Sequence, residues 1–180
     1  MNAIKEWAAT EFDDKSITHL VVSHHHSDHT GGVRQMIADG VQIVISEHGY
    51  EFFSKIATAR CEVRPDALAQ SEVDAQFVLV SESEPLTLAD ATNPITVYQA
   101  RSAHAADTLF PLVESAGVLF LVDIYSPGLP PFPPLAQEAR DEITRLGIEA
   151  QVQRVAGGHG GVQTLAQFDG CLADLSTCTQ

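Results

Sequence analysis

The chain has 180 residues, enough for one well-formed hydrophobic core, and a formal net charge of −14, from 10 Lys and Arg against 24 Asp and Glu. A surface this acidic repels phosphodiester backbones and anionic lipids, which argues against nucleic-acid or membrane partners. The longest apolar run, Val118 to Val122, is far too short to span a bilayer. We predict a single domain over residues 1–180.

The first predicted elements are a helix over 3–10 and a strand over 17–22. The strand leads into the sequence His-His-His-Ser-Asp-His at positions 24–29. Because alternate residues that leave a strand point the same way, His24 and His26 can share one metal ion.

The second half of the same segment can serve a second metal. Asp28 and His29 lie one step further along and can turn towards another ion, and imidazole and carboxylate groups are ligands that divalent metals accept. A tag fragment or a solvated polar loop fits less well, because the run is internal and interrupted by Ser27. The segment therefore predicts a site for two metals.

The rest of the chain alternates helices and strands. Gly31 and Gly32 are predicted to allow a close backbone approach, and Ser115 to Gly117 to form a hairpin turn. The order of elements predicts an α/β fold (α+β by some schemes). The predicted elements are helix 33–39, strand 41–46, helices 47–60 and 66–69, strands 77–80, 86–88, 95–99, 108–113 and 118–122, helix 135–146, strand 152–155 and helix 162–175.

The His-x-His-x-Asp-His segment resembles the signature of the metallo-β-lactamase-fold hydrolase superfamily, which continues with a distant His, an Asp and a final His. His104, Asp123 and His159 match this continuation, and each lies at the C-terminal end of a predicted strand. The resemblance implies that Asp123 bridges two metals. It implies a first metal held by His24, His26 and His104 and a second held by Asp28, His29 and His159.

The resemblance also implies an αββα sandwich of two similar halves. It covers residues 2–176, but only 23 residues precede His24, so the N-terminal strands of the first half are expected to be missing. A sheet without those strands would expose an unpaired edge, which favours a homodimer.

The implied activity is hydrolysis. A bridging Asp at position 123 is typical of the glyoxalase II-like and lactonase-like hydrolases and not of the zinc β-lactamases. In such enzymes a metal-bridging hydroxide attacks a small ester, thioester or lactone, and Asp28 both binds metal and orients the nucleophile. Zinc fits the ligand types best, and iron or manganese also fits.

Two other classes compete with this interpretation. One is a metal-binding but catalytically weak or inactive fragment, which needs its missing N-terminal half or a partner chain. The other is a diiron oxidoreductase of the same fold, which is disfavoured because that branch typically has a Glu in the first motif and a flavin domain.

The Pro-rich segment 127–134 is either a linker or a stiff flap beside Asp123. If it is a flap, Tyr125 and Phe132 are the candidate substrate-binding residues. Leu129 would line the same side.

The three cysteines match no metal-binding spacing. Cys171 and Cys178 are seven positions apart in a predicted helix, which separates them by about 10 Å along its axis, too far for an easy disulfide. Cys61 has no obvious partner. We therefore expect unpaired thiols, which are compatible with a reducing compartment and favour a cytoplasmic location.

Overall fold

Two hydrophobic cores form along the chain in the computed structural model, which describes residues 2–12, 15–60 and 62–178. They correspond to two compact units, Met1–Leu79 and Val80–Gln180. The α/β prediction is confirmed, and the single-domain organisation stays a prediction. Among the described residues, no helix is both long and apolar enough to cross a membrane.

The first unit is built on a sheet with the strand order β1-β2-β3, in which β1 and β2 are parallel. The middle strand is apolar on both faces, and its residues Ile43, Val44 and Ile45 are all buried, as expected for a strand covered on two sides. The elements are α1 (Asn2–Glu11), β1 (His19–Val21), α2 (Ser27–Thr30), α3 (Val33–Ala38), β2 (Gln42–Ser46), α4 (Tyr50–Thr58) and β3 (Phe77–Val80).

The second unit contains a six-stranded sheet with the order β4-β5-β6-β7-β8-β9. All neighbouring strands are antiparallel except β7 and β8, which are parallel. The elements are β4 (Leu86–Leu88), β5 (Ile95–Gln99), β6 (Leu109–Val113), β7 (Val118–Val122), α5 (Pro133–Arg145), β8 (Arg154–Gly157), β9 (Val162–Thr164) and α6 (Leu165–Ala173).

This topology explains where the candidate ligands of the second unit lie. β5 and β7 are both antiparallel to β6, and β8 is parallel to β7, so these three strands run in the same direction. Their C-terminal ends therefore lie at the same end of the sheet. His104, Asp123 and His159 follow β5, β7 and β8, so the prediction that each lies beyond a strand end is confirmed.

The predicted helix over 162–175 is wrong at its start. Residues 162–164 form β9, which pairs with β8, and α6 begins only at Leu165. Thr164 caps this helix, since its hydroxyl accepts from the Gln167 N–H while the Gln167 side chain accepts from the Thr164 N–H. The Thr-x-x-Gln pattern marks the helix start in the sequence, but the apolar spacing alone extends past it.

The prediction of unpaired thiols is wrong for Cys171 and Cys178, which form a disulfide. The helix ends at Ala173, and Asp174 adopts an extended conformation that turns the chain into a short 3₁₀ turn over Leu175–Thr177. The Cα atoms of the two cysteines are therefore 4.6 Å apart, within the usual range for a disulfide. Cys61 lies outside the described residues.

Several local predictions also need correction. The predicted helix 66–69 is a turn in which the Asp66 carboxylate accepts from the Ala69 N–H, a side-chain bond that competes with helix formation. The first residues of helix 47–60 form a 3₁₀ turn. The hairpin turn predicted at 115–117 is confirmed, since β6 and β7 pair antiparallel on either side of a turn that ends at the left-handed Gly117. Gly31 has an ordinary backbone conformation, and a Cβ there would meet nothing closer than 3.7 Å, so no close approach requires it.

Candidate metal centre

In the first unit, the His-rich segment forms a tight turn after β1. The carbonyl of His26 accepts hydrogen bonds from the N–H groups of His29 and Thr30, both at 3.1 Å, and these bonds begin the short helix α2. His24 is buried before this turn. The backbone therefore reverses within six residues, which brings the imidazole rings of the segment together.

The first pair of imidazoles has the separation of two ligands on one metal. Nε2 of His24 lies 3.0 Å from Nδ1 of His26. Two ligands of a tetrahedral zinc ion, each about 2.0–2.1 Å from the metal, lie about 3.3 Å apart. The prediction that His24 and His26 point to the same place is confirmed.

Ser23 contacts two of the candidate ligands and was not singled out from the sequence. Its hydroxyl oxygen lies 3.3 Å from Nδ1 of His24 and 3.0 Å from Nδ1 of His29. If both Nδ1 atoms carry the proton, the Ser23 oxygen accepts from both rings and each Nε2 keeps its lone pair for a metal. In that tautomer, Ser23 would fix the orientation of both rings.

Asp28 and His29 form the second pair of this unit. The Oδ2 atom of Asp28 lies 3.5 Å from Nε2 of His29, and the side chain of Asp28 is 56% exposed. The ring centroids of His24 and His29 are 4.2 Å apart. The four residues of the motif therefore offer three imidazoles and one accessible carboxylate in a small volume.

In the second unit, Asp123 faces two histidines at once. Its Oδ2 atom lies 3.6 Å from Nε2 of His104, and its Oδ1 atom lies 3.5 Å from Nε2 of His159. Because each carboxylate oxygen faces a different imidazole, this is the arrangement expected of a carboxylate that binds two metals. The described residues include clusters of His and Asp that could hold a metal ion.

A backbone irregularity precedes Asp123. The pairing between β7 and β8 shifts register between Phe120 and Val122, and Val122 has a φ of 53°. This left-handed conformation is strained for a β-branched residue. The Val122 carbonyl accepts a hydrogen bond of 2.8 Å from the N–H of Gly158, so the irregularity also ties the end of β7 to the loop that carries His159.

Glycines let the His159 loop lie directly against the segment after Asp123. A Cβ at Gly157 would stand 2.8 Å from Cα of Ser126, and one at Gly160 would stand 2.6 Å from the carbonyl oxygen of Pro127. Gly160 also has a φ of 113°, which side chains rarely adopt. The run Gly-Gly-His-Gly-Gly at 157–161 is the sequence signal of this close packing.

The two candidate substrate-binding residues have different environments. Tyr125 is buried, its hydroxyl donates to Oε1 of Gln163 at 2.7 Å, and its ring packs against Phe168. Burial also raises the pKa of this phenol. This core position argues against the predicted contact of Tyr125 with substrate. Phe132 is 65% exposed at the start of α5, and its contact with substrate stays a prediction, as does the flap.

The structure thus assembles the candidate ligands within each unit. It brings together His24, His26, Asp28 and His29 in the first unit, and His104, Asp123 and His159 in the second. Nitrogen and carboxylate donors at these separations fit divalent metal ions. The joint seven-ligand site stays a prediction.

Comparison with known proteins identifies the family. Residues 2–164 match the family model described as the metallo-beta-lactamase superfamily. A thioesterase, pkgB of Emericella nidulans, is 30% identical over 101 residues, which are 47% of this chain and 28% of that protein. The chain therefore spans less than a third of this relative.

Solved structures share the fold at low sequence identity. A metallo-beta-lactamase from Pontibacter korlensis has a TM-score of 0.65 and 18% identity, and the match covers 97% of this chain and 76% of that chain. The Flv1 flavodiiron core from Synechocystis sp. PCC6803 has a TM-score of 0.64 and 12% identity, with 98% of this chain and 49% of that chain covered. The fold is thus shared by proteins of different chemistry.

Proposed function

Because the chain belongs to the metallo-beta-lactamase superfamily, we propose that it is a metal-dependent hydrolase with two divalent metal ions. The observation that carries this proposal is the Asp123 carboxylate, whose two oxygens face two different imidazoles. A carboxylate in this position can bind one metal with each oxygen. The family membership supplies the expectation that the histidines of the first unit complete both coordination spheres.

The proposed ligand sets follow the pairs found in each unit. His24 and His26, 3.0 Å apart through Nε2 and Nδ1, would hold the first metal together with His104. Asp28 and His29 would hold the second together with His159. Asp123 would bind both metals. When bound, the two metals supply Lewis-acid polarisation of a carbonyl and lower the pKa of water.

Asp28 is the proposed catalytic residue of the chain itself. Its Oδ2 atom is turned towards His29, and more than half of the side chain is exposed. We propose that the other oxygen, Oδ1, accepts a hydrogen bond from the attacking water and directs its lone pair towards the substrate carbonyl. A proton held there can later pass to the leaving group.

The substrate proposed is a small ester, thioester or lactone. The similarity to a thioesterase favours the thioester among these, although the match covers only 47% of this chain. The net charge of −14 also favours a substrate that is neutral or cationic near its scissile bond, since an acidic surface repels anions.

Zinc is the proposed metal, and iron or manganese fits the same donors. The likeness to a flavodiiron core shows only the shared fold, because identity is 12%. The His-rich segment 24–29 of this chain has His26 and contains no Glu. Flavodiiron oxidoreductases of the same fold typically have a Glu in this segment. This difference supports hydrolysis over oxidoreductase chemistry.

The experiment that tests the proposal combines metal content with hydrolysis. Protein purified without a His-tag should contain close to two metal ions per chain by elemental analysis. It should hydrolyse an aryl acetate ester and a short acyl thioester, followed by phenolate or thiol release. The variants His104→Ala and Asp123→Ala should lose metal and on the order of 100-fold or more in rate, since even residues behind the ligands contribute 10–100-fold.

His48→Ala is the matched control, because His48 is an exposed histidine at the start of a 3₁₀ turn. It should keep both the metal content and the rate. Full metal content and unchanged hydrolysis in His104→Ala and Asp123→Ala would show that the proposal is wrong.

A further inference from the structure

The loop that carries His104 is anchored by two glutamates of a helix. His104 lies in the connection between β5 and β6, where the N–H of Arg101 donates to Oε2 of Glu142 at 2.8 Å. The N–H of Ala103 donates to both carboxylate oxygens of Glu138, at 2.9 and 3.1 Å. Hydrogen bonds to carboxylates are stronger than those between neutral groups. Both glutamates belong to α5.

The spacing of the two anchors matches the spacing of the two donors. Glu138 and Glu142 lie one helical turn apart on the same face of α5, a rise of about 6 Å for four residues. Arg101 and Ala103 are alternate residues, which are about 6.6 Å apart in extended backbone. Because Glu142 binds the earlier residue and Glu138 the later one, the loop runs antiparallel to the helix along residues 101–103.

Glu142 is tied to the start of the loop through a second contact. It is buried, and its carboxylate accepts from Nε and Nη2 of Arg145, with the Nη2 bond at 2.6 Å. The same Nη2 donates to the carbonyl oxygen of Gln99 at 3.1 Å. The charge of Glu142 is therefore balanced, and the pair holds the backbone on both sides of residue 100.

Polar groups surround residues 101–103 of the loop, between the buried residues Ala100 and Ala105. An open cavity of about 540 Å³ lies between loop and helix, and its lining is mainly polar, including Ser102, Gln137 and Glu138. The Ser102 hydroxyl accepts a hydrogen bond from the N–H of His104, two residues later, at 3.0 Å. The three N–H groups at 101, 103 and 104 thus all donate to side-chain oxygens.

We propose that Glu138 and Glu142 are positioning residues for the metal ligand His104. They hold the backbone on the N-terminal side of His104, so that Nε2 stays beside the Asp123 carboxylate, 3.6 Å from Oδ2. This inference rests on the proposed function, because it assigns the two glutamates to the metal site. Neither glutamate contacts the metal or the substrate in this assignment.

Glu138 offers the cleaner test, because Glu142 is a buried charge whose removal would leave Arg145 unpaired. Glu138→Ala removes the acceptor, and Glu138→Gln keeps one oxygen acceptor without the charge. Asp141→Ala is the matched control, since Asp141 is an exposed carboxylate of the same helix that accepts from Gln137. Asp141 lines the same cavity, but its carboxylate accepts from Gln137 of its own helix, so the variant removes the same charge and keeps the Glu138 acceptor of the Ala103 N–H.

Binding of Zn²⁺ alone, measured by competition with a chromophoric chelator, is the first readout. In Glu138→Ala one of two Zn²⁺ ions should bind about 10-fold more weakly than in the wild type, the lower end of the range for residues that orient metal ligands. Glu138→Gln and Asp141→Ala should both stay within about twofold of the wild type. Rescue by Gln identifies the hydrogen-bond acceptor as the cause.

Hydrogen exchange of the Ala103 amide in metal-free protein is the second readout. Exchange should be faster in Glu138→Ala than in Glu138→Gln or Asp141→Ala. If the wild type binds two Zn²⁺ ions and Glu138→Ala has the same affinity and the same Ala103 exchange rate, the inference is wrong and the proposed function stands. A folded wild-type chain that binds no Zn²⁺ overturns both.

Discussion

The two units hold their candidate ligands by different means. In the first unit, four candidate ligands lie within the six consecutive residues 24–29: His24 and His26 precede the short helix α2, and Asp28 and His29 lie in it. In the second unit, the three ligands are spread from position 104 to position 159 and follow three different strands. The first cluster is therefore a local structure, whereas the second depends on sheet order and on contacts between distant loops.

The difference predicts where the candidate site is vulnerable. Around the first cluster, the residues near the motif keep ordinary backbone geometry, as Gly31 does. Around the second cluster, Val122 and Gly160 adopt unusual conformations, and the loops approach each other at the limit of atomic contact. Small changes beside the ligands should thus be tolerated in the first unit and damaging in the second.

The largest effect is expected for Gly160→Ala. The added Cβ would meet the Pro127 carbonyl oxygen at 2.6 Å, and φ of 113° is strained for alanine. The His159 loop must therefore move, at a cost of about 1–3 kcal/mol for the backbone conformation alone. We expect the unfolding free energy to fall by at least that amount in denaturant titration, and one metal ion to be lost in elemental analysis.

Gly31→Ala supplies the contrast in the first unit. A Cβ at Gly31 would lie 3.7 Å from the nearest atom, an ordinary contact, so metal content and stability should be unchanged. Gly128→Ala is the control within the second unit, because its φ of 83° is also left-handed but a Cβ would meet nothing within 4 Å. If Gly128→Ala lost as much metal as Gly160→Ala, backbone strain and not the close approach would be the cause.

The same difference decides how much of the molecule could be predicted from its sequence. The proximity of His24 and His26 was predictable, because residue spacing alone determines which side chains of 24–29 can meet, whereas the helix α2 and the Ser23 contacts were not predicted. His104, Asp123 and His159 could be placed at strand ends from apolar runs, but their selection required the family resemblance. Strand order, which places those ends at one edge, is set by long-range pairing that no local pattern encodes.

Long-range contacts also explain what the sequence did not predict. Val162 fits the apolar spacing of α6, but residues 162–164 pair with β8 and form a strand. Cys171 and Cys178 are brought together because the helix ends at Ala173, a boundary that apolar spacing does not mark. The anchors Glu138 and Glu142 resemble ordinary surface residues of a charged helix until the loop they bind is located.

A smaller effect is expected for Ser23→Ala, which removes a hydroxyl shared by two imidazoles of the first cluster. Both rings should lose their fixed orientation, so each metal should bind about 10-fold more weakly, as is usual when a hydrogen bond behind a ligand is removed. Chelator competition measures the affinity. The fold should be unaffected, since the change deletes one oxygen atom.

Thr18→Ala is the matched control for this variant. The Thr18 hydroxyl lies 2.9 Å from Nδ1 of His19, a histidine outside the candidate ligand set. Its removal should leave metal affinity unchanged. Equal metal affinities in Ser23→Ala and the wild type would mean that the backbone turn alone orients the rings of the first cluster. The first cluster would then depend on local backbone structure only, unlike the second.

The smallest effect concerns acid stability in the first unit. The guanidinium of Arg34 binds the Asp66 carboxylate through Nε at 2.5 Å and Nη2 at 2.7 Å, and these bonds lower the pKa of Asp66 from 3.8 to about 2. Because the folded-state pKa is depressed, the stabilisation is complete above about pH 4 and is lost as the pH falls towards 2. The Asp66 side chain is 38% exposed, so solvent screens the ion pair and the contribution is modest.

Asp66→Asn should therefore be less stable than the wild type at neutral pH and should show a flatter loss of stability between pH 4 and 2. Trp7, the only tryptophan of the chain, lies in α1 and reports on the first unit by fluorescence. Asp74→Asn is the control, since Asp74 is an exposed carboxylate of the same unit. Parallel acid profiles for the wild type and Asp66→Asn would show that the Arg34 contact is not linked to the folding of this unit, because a carboxylate with equal pKa values in the folded and unfolded states adds no pH dependence.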